Sequence, residues 1–410
     1  MGVPASYPCR VHPSPEAVRR VRAWVRGALV LETGRPWTPE PASEDVADLL
    51  AAVQRHRVAE LLGSQADGLA LPAEIRGPIA EIRAVSRRAL MVQVLEIGRL
   101  QDLFAEAGLA CLAIKGPALA VQTTGDRAAR GSGDVDLFVD PLRVEDAHRL
   151  LLAHGWSVRP GSEVDPGTWA WRHVLSNFNA FTYAGPGSTV DLHWRLDPTL
   201  DALPTFAVAW ERRELVDLGG REVATLGPGE LLPHASLHSA KDSWRWMRSL
   251  VDVHRLAADP RTWERSLETD PLRRLEISTL AVTRFVVGLP PTVPAAVLGQ
   301  LDQVPASVLT RALVAQERPV RAPYPFPGLE SMRLLRYMVA ASPTARDVRH
   351  SAVSTVLPVK SVVGIEASSA WTGVPLTLWH RVRRLRRRSV AWARREPGAG
   401  VVDPLIRSGR

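Results

Sequence analysis

The sequence is poor in cysteine and lysine, and it contains no long apolar run. Among 410 residues there are only two cysteines, Cys9 and Cys111. Two isolated cysteines supply neither a disulfide framework nor the spacing of a zinc site, so we expect a chain of the reducing cytoplasm. No apolar stretch approaches the roughly 20 residues of a membrane helix. The N-terminus also lacks the basic, apolar and small-residue order of a signal peptide. These absences favour a cytoplasmic protein without a transmembrane segment.

Basic charge is concentrated at one end of the chain. The net charge is +8, with three lysines beside forty-eight arginines. Residues 381–395 hold eight arginines and no acid, and removing them from the 51 basic residues leaves 43, the number of acidic residues. The neutral remainder gives no sign of a wide nucleic-acid groove. The tail 381–395 could contact nucleic acid or an anionic membrane, or simply solubilise the chain.

Length and patterning predict an α+β protein of more than one domain. A chain of 410 residues is long enough for two or three domains, and its 46% hydrophobic content is ordinary for a globular protein. We divide it into a helical region at 1–108, a sheet-bearing core at 109–227 and a helical domain at 228–317. Residues 318–410 form a Pro-rich linker, a mixed segment and the arginine tail.

Apolar periodicity places the main elements. The spacing predicts one amphipathic helix over Glu44–Leu62 and a long helix over Ala73–Ala107. Residues Thr168–Tyr183 and Ser188–Leu196 are typical of two strands joined by the turn 184–187. This hairpin would carry Asp191 into the sheet.

Two acids alternate with apolar residues in a predicted strand. In the run Asp134-Val135-Asp136-Leu137, side chains two apart share a face, so Asp134 and Asp136 lie side by side. Such carboxylates repel each other unless a cation lies between them, and Mg²⁺ is the natural occupant. The alternative to a metal site is a polar edge strand whose solvent-facing side carries these two acids. However, aspartate is depleted in strands, which favours the metal site.

A third acid, Asp191, lies in a second alternating run together with His193. If the two strands are neighbours, Asp191 completes a cluster of three carboxylates. Three carboxylates suit two-metal phosphoryl or nucleotidyl transfer, in which one ion activates the attacking hydroxyl and the other steadies the leaving phosphates. His193 shares the face of Asp191 and could orient a catalytic group or touch the substrate, although such a histidine is more often a satisfied neighbour.

The segment before these acids has the pattern of a phosphate site. Lys115-Gly116 ends a short apolar strand, and Pro117 stands at a favoured first-turn position of a helix. Backbone N–H groups at that start would face an anion, and the ammonium of Lys115 could bind a phosphate oxygen or merely close the strand. Arg130 could likewise bind a phosphate oxygen or be only a surface cation. Ser132 could donate a hydrogen bond to a phosphate or cap the turn. Further along, charged side chains recur at helical spacing: His238, Lys241, Arg245, Arg248 and Asp252.

These motifs together resemble a bacterial family of uncharacterised nucleotidyltransferases, a branch of the DNA polymerase beta-type nucleotidyltransferase superfamily. The resemblance covers roughly residues 90 to 260 and rests on Lys115-Gly116, Arg130, Asp134-x-Asp136-Leu137 and Asp191-Leu192-His193-Trp194. Lys115-Gly116-Pro117 stands where the superfamily usually has Gly-Ser. The resemblance implies a small mixed sheet with flanking helices and a Mg²⁺-dependent transfer of a nucleoside monophosphate from an NTP.

We therefore predict a nucleotidyltransferase that uses two Mg²⁺ ions and an NTP, with an unidentified hydroxyl or phosphate acceptor on a small molecule or peptide. The predicted catalytic metal ligands are Asp134, Asp136 and Asp191. The predicted nucleotide-binding residues are Lys115, Gly116, Arg130, Ser132, His193 and His238. Two alternatives stay open, namely a metal-dependent glycosyltransferase and an inactive nucleotide-binding or adaptor protein.

Overall fold

A computed structural model describes residues 12–38, 44–131, 133–185, 188–264, 271–318, 329–342 and 344–379. Ser132 and the arginine tail 381–395 lie outside the described residues. The fold is α+β, as the sequence predicts. Within the described residues, no helix is both long and apolar enough to cross a membrane.

Helices make up most of the described chain. The first eight are α1 (Pro15–Glu32), α2 (Val46–His56), α3 (Ala59–Ser64), α4 (Ala73–Glu106), α5 (Gly116–Thr124), α6 (Val144–Ala153), α7 (Trp169–Asn177) and α8 (Phe206–Glu211). The next eight are α9 (Pro228–Lys241), α10 (Met247–Ala258), α11 (Arg274–Val286), α12 (Ala295–Leu301), α13 (Ala306–Glu317), α14 (Leu329–Ala341), α15 (Ala345–Val356) and α16 (Val359–Val362). Short 3₁₀ turns occupy Pro141–Arg143 and Pro260–Trp263, and residues 370–379 are also helical.

The strands form one mixed sheet and one small hairpin. They are β1 (Cys111–Ile114), β2 (Val135–Val139), β3 (Ser157–Val158), β4 (Ala180–Ala184), β5 (Thr189–His193), β6 (Glu214–Asp217) and β7 (Glu222–Thr225). The five-stranded sheet has the order β1-β2-β5-β4-β3, and β6 pairs with β7. The β2–β5 pair is parallel and the other pairs are antiparallel. This order makes the two acid-bearing strands neighbours.

The N-terminal helices differ from the sequence prediction at one point. The long helix α4 spans nearly the predicted residues, but the single helix predicted over Glu44–Leu62 is wrong. Arg57 takes a left-handed conformation, φ 55°, and separates α2 from α3. Apolar residues of both short helices pack in the same hydrophobic cluster, so apolar periodicity continues across the break. Spacing alone therefore does not reveal the break.

The strand predicted over Thr168–Tyr183 is also mostly wrong, since α7 occupies its first part and only β4 is extended. The hydroxyl oxygen of Thr168 accepts a hydrogen bond from the backbone N–H of Trp171 at 3.1 Å. This is the N-terminal capping contact that starts a helix. The bulky residues of Trp169–Val174, which favour a strand by composition, are instead buried along the helix.

The chain divides into two compact units. Among the described residues, the first unit lies within 12–159 and 177–355, and the second within 160–176 and 356–379. Within the second, the backbone N–H of Trp169 donates to the carbonyl of Ala367 at 2.8 Å, and His173 Nε2 donates to the carbonyl of Leu357 at 2.9 Å. The whole sheet and every residue of the site described below belong to the first unit. The four-region division made from the sequence stays a prediction.

Helices α9, α10 and α11 cover one face of the sheet near the acids. Leu112 of β1 and Phe138 of β2 pack in one apolar cluster with Leu231 of α9, Val253 of α10 and Leu280 of α11. Asp136 is two residues from Phe138, so its side chain lies on the same face. The packing of this cluster therefore brings α9 and α10 beside the carboxylate of Asp136.

Candidate active site

Two carboxylates stand side by side at the centre of the sheet. Asp136 of β2 and Asp191 of β5 are direct partners in the parallel register. The residues before and after each, such as Val135 and Leu192, are fully buried on the opposite face. Like charges at paired positions on neighbouring strands destabilise a sheet. The fold therefore tolerates this pair only with compensating groups nearby.

Asp136 receives two such groups. Lys115 Nζ lies 3.0 Å from Asp136 Oδ1, and His193 Nε2 lies 3.1 Å from the same oxygen. Burial alone would raise the pKa of the Asp136 carboxyl, but the Lys115 ammonium and the His193 hydrogen bond outweigh it and hold that pKa well below its usual range. Asp136 is therefore a carboxylate at any ordinary pH.

Asp191 and His193 are oriented by residues of β4 and of the turn before it. The hydroxyl of Thr182, the register partner of Asp191, donates to Asp191 Oδ1 at 2.6 Å. Asn179 Nδ2 lies 3.4 Å from His193 Nδ1, an arrangement that leaves the imidazole proton on Nε2 for Asp136. Both contacts stiffen the acid pair in one geometry, as the partners of metal ligands do.

Asp136, Asp191 and His193 form a group that could hold a metal ion. Their candidate ligand atoms all lie within 4.8 Å of one another. The two carboxylates suit a hard cation such as Mg²⁺, whereas an imidazole is more typical of softer metals. The hydrogen bond from Nε2 to Asp136 instead gives His193 the place of an orienting neighbour. The donor set therefore fits a divalent cation held mainly by carboxylate oxygen.

Asp134 lies just before β2 and is exposed. It is not a member of the three-residue group. Its pKa is raised by partial desolvation and then by the charges of Asp191 and Asp136, so it lies within their electrostatic reach. The structure thus pairs two of the three predicted acids directly and leaves Asp134 at the rim.

Lys115 and Gly116 form a sharp turn between β1 and α5. Lys115 has φ 62° and ψ −152°, a conformation that is essentially confined to glycine, and Gly116 has φ 53°. A non-glycine residue held there marks a site where position matters more than local stability. The turn aims the Lys115 ammonium at Asp136 and presents the first backbone N–H groups of α5 on the same side of β1.

A buried glutamine of α4 fastens the loop before β2. Gln93 is 3% exposed. Its Nε2 donates to the carbonyl of Asp134 at 2.8 Å, and its Oε1 accepts from the N–H of Gly133 at 3.3 Å. A Cβ on Gly116 would meet the same Nε2 at 3.3 Å. Gln93, Thr182 and Asn179 are not among the site residues predicted from the sequence. The signal for Gln93 was a polar residue within an otherwise apolar helical run, and the signal for Thr182 was its place opposite Asp191 in the hairpin.

Arg130 is engaged in an ion pair. Its Nε lies 3.0 Å and 2.9 Å from the two carboxylate oxygens of Asp252 on α10, and both side chains are largely buried. The charged row around Asp252 does not follow a single helix, because Ser243 and Trp244 take positive φ values between α9 and α10. His238 and Lys241 belong to α9, whereas Arg248 and Asp252 belong to α10.

A small cavity of about 20 Å³ opens beside Lys115, and we refer to it as the α9 cavity. Its lining residues are Lys115, Leu119, Arg130, Leu231, His234, Ala235, His238, Ser249 and Asp252. Burial, and after it the charge of Lys115, keeps the pKa of His234 well below 6.5. The charge of Lys115, followed by burial, does the same for His238. Both rings are therefore neutral at pH 7. Like Gln93, His234 is not among the site residues predicted from the sequence.

A mixed sheet with acids on neighbouring strands, a Lys-Gly turn into a helix and a helical cover is the arrangement of a nucleotidyltransferase. The model of a family described as "Uncharacterised nucleotidyltransferase" matches residues 42–283, more than half of the chain. The chain belongs to this family, which confirms the resemblance drawn from the motifs and makes the protein an enzyme of the transferase class. Among curated proteins, none matches the chain.

Proposed function

We propose that this protein is a Mg²⁺-dependent nucleotidyltransferase that moves a nucleoside monophosphate from an NTP to a hydroxyl or phosphate acceptor. The observation that carries the proposal is the in-register pair Asp136 and Asp191, with Lys115 and the start of α5 beside it. Acids for cations and a basic helix start for phosphates are the two parts that this chemistry needs.

Each group of the chain has a role in this proposal. Asp136 and Asp191 would hold a Mg²⁺ ion, and Asp134 at the rim would help to hold a second. When bound, the ions neutralise phosphate charge and lower the pKa of the attacking hydroxyl. The N–H groups at Gly116 and the ammonium of Lys115 bind the triphosphate. His193 and Thr182 keep the two carboxylates in position.

The reaction balances without a further reactant. An acceptor oxygen forms a bond to the α-phosphorus while the bond between the α-phosphorus and the bridging oxygen of the β-phosphate breaks. Pyrophosphate leaves, and the acceptor gives up its proton. Positioning and charge neutralisation account for most of the rate in such transfers, so rigid carboxylates matter more than an acid–base residue.

We propose that the acceptor is a small molecule or a peptide. The equal count of acidic and basic residues outside the tail 381–395 supports this choice over a nucleic-acid duplex. The scarcity of cysteine supports a cytoplasmic location. A contact of the tail with an anionic membrane or nucleic acid stays part of the proposal.

The test is label transfer by the Asp136→Asn variant. Purified full-length chain is incubated with each α-labelled NTP, Mg²⁺ and a cell extract. The wild type should transfer label and release pyrophosphate, and Asp136→Asn should lose at least about a thousandfold of that activity while its thermal unfolding stays cooperative. Asp146→Asn, at an exposed position of α6, is the matched control and should keep full activity. Undiminished transfer by Asp136→Asn would refute the proposal.

A further inference from the structure

The α9 cavity contains a buried imidazole with one ring nitrogen that has no hydrogen-bond partner among the described residues. His234 is 4% exposed, and its Nε2 has no partner within the part of the chain that the structure describes. A buried polar nitrogen left unpaired costs about 1–3 kcal/mol. The ring of His238 stands near-perpendicular to that of His234, with ring centroids 6.5 Å apart. Two neutral imidazoles, each able to donate one N–H, therefore line one cavity.

Basic groups dominate the surroundings of this cavity. Arg130 is paired with Asp252, and Arg248 on α10, which does not line the cavity, lies close enough to Arg130 for that charge, after burial, to lower the pKa of the Arg248 guanidinium. Among the residues that the structure describes, Asp136 is the one acid that forms an ion pair with Lys115. A cation on that carboxylate would take over its charge and leave the ammonium without a counter-ion. The cavity would then favour an anion.

The position and size of the cavity narrow the choice of anion. Lys115 and Leu119, at the start of α5, line the cavity, so the cavity adjoins the helix start that we propose binds phosphate. Neither Asp134 nor Asp191 lines it. A space of about 20 Å³ holds roughly one water-sized group, which matches a phosphate oxygen and excludes a nucleobase.

We propose that the α9 cavity admits one oxygen of the terminal phosphate of the NTP, with His234 and His238 donating hydrogen bonds to that oxygen and Lys115 pairing with the charge of the phosphate. This inference rests on the proposed nucleotidyltransferase function. It extends that function by giving the triphosphate a direction, from the carboxylates across Gly116 towards α9. It also predicts a preference for triphosphates over diphosphates as donors.

The experiment measures binding of inorganic pyrophosphate to the full-length chain by isothermal titration in the presence of Mg²⁺. Pyrophosphate stands for the β- and γ-phosphates and needs no knowledge of the base or the acceptor. His234→Leu should weaken its binding about tenfold or more, because a hydrogen bond to a charged group is lost. His234→Gln keeps an amide donor and should stay within about threefold of the wild type. His254→Leu, at a buried histidine of α10 that does not line the cavity, is the matched control.

Several results would overturn the subsite. Equal affinity in His234→Leu and wild type, an equal loss in His254→Leu, or no pyrophosphate binding by the wild type would each do so. The binding test needs no turnover, so the two proposals can fail separately. Binding that depends on His234 without label transfer would leave the subsite standing and remove the nucleotidyl-transfer function. Label transfer together with pyrophosphate binding that does not depend on His234 would support the nucleotidyl-transfer function and overturn the subsite.

Discussion

Lys115 Nζ lies 3.0 Å from Oδ1 of Asp136, so the lysine that we propose binds phosphate is paired with the carboxylate that we propose as a metal ligand. The two roles of this lysine are in competition. While it neutralises Asp136 it opposes a cation there, and once a cation is bound it is free for phosphate. Metal and nucleotide should therefore bind in a mutually supporting way.

The first prediction follows from this competition. Lys115→Met should raise the affinity for Mg²⁺ in the absence of nucleotide about tenfold, because the competing ammonium is gone. The same change should lower kcat/KM for the NTP at least about tenfold, since a phosphate contact is lost. Metal titration by calorimetry and the label-transfer assay measure the two effects. Lys115→Arg keeps the charge and should leave Mg²⁺ affinity near that of the wild type, and unchanged metal binding in Lys115→Met would contradict the competition.

A second prediction concerns the backbone of the same residue. Because φ 62° and ψ −152° suit glycine, Lys115→Gly should be more stable than Lys115→Ala by about 1–3 kcal/mol. Both variants lack the ammonium, so their difference isolates the backbone strain. Urea unfolding of the two variants measures it. An alanine variant as stable as the glycine variant would show that the turn is not strained.

The buried ion pair gives a third prediction. Arg130→Met and Asp252→Leu should each destabilise the first unit by about 3–5 kcal/mol, because each leaves an unpaired buried charge. The loss should be larger for Asp252→Leu, which leaves the guanidinium groups of both Arg130 and Arg248 unmatched. The double variant should lose less than the sum of the two. Urea unfolding of the full cycle tests this.

The exposed pair Arg143 and Asp146 provides the control for that cycle. It lies at the surface, with both side chains nearly half exposed. Solvent screening limits such a pair to about 1 kcal/mol or less. A double-mutant cycle there should therefore show little coupling, and equal coupling in the two cycles would argue against burial as the cause.

A fourth prediction is a dependence of stability on pH. Burial, reinforced by Arg55 and Arg22, lowers the pKa of His56 to about 3. Its folded pKa lies below the unfolded value near 6.5, so the unfolded chain binds a proton that the folded chain excludes, and stability falls as the pH falls from 6.5 towards 3. Between pH 7.5 and pH 5, the wild type should lose about 2 kcal/mol more than His56→Leu in urea unfolding. Exposed His154→Asn should lose as much as the wild type, and an equal loss in His56→Leu would contradict the prediction.

Much of the site could be predicted because local patterns encode it. The alternation around Asp136 and Asp191 gives two strands with acids on one face, and Pro117 after Lys115-Gly116 marks a helix start. The failures arose where local patterns conflict. The aromatic residues of α7 favour a strand by composition, whereas the Thr168 cap and burial along one side favour the helix that forms. The break at Arg57 left apolar periodicity intact.

The sequence by itself determined the chemistry that this protein can offer: paired acids, a lysine beside a glycine and a pattern of alternating burial, all properties of residues close together in the chain. Only the tertiary structure decided that Asp136 faces Asp191 in a parallel register and that Lys115 pairs with Asp136. It also decided that His234 and Lys115 line one cavity, the α9 cavity. Those contacts join residues far apart in sequence. They depend on strand order and on the packing of α9 and α10 against the sheet, and the spacing of neighbouring residues carries no information about either.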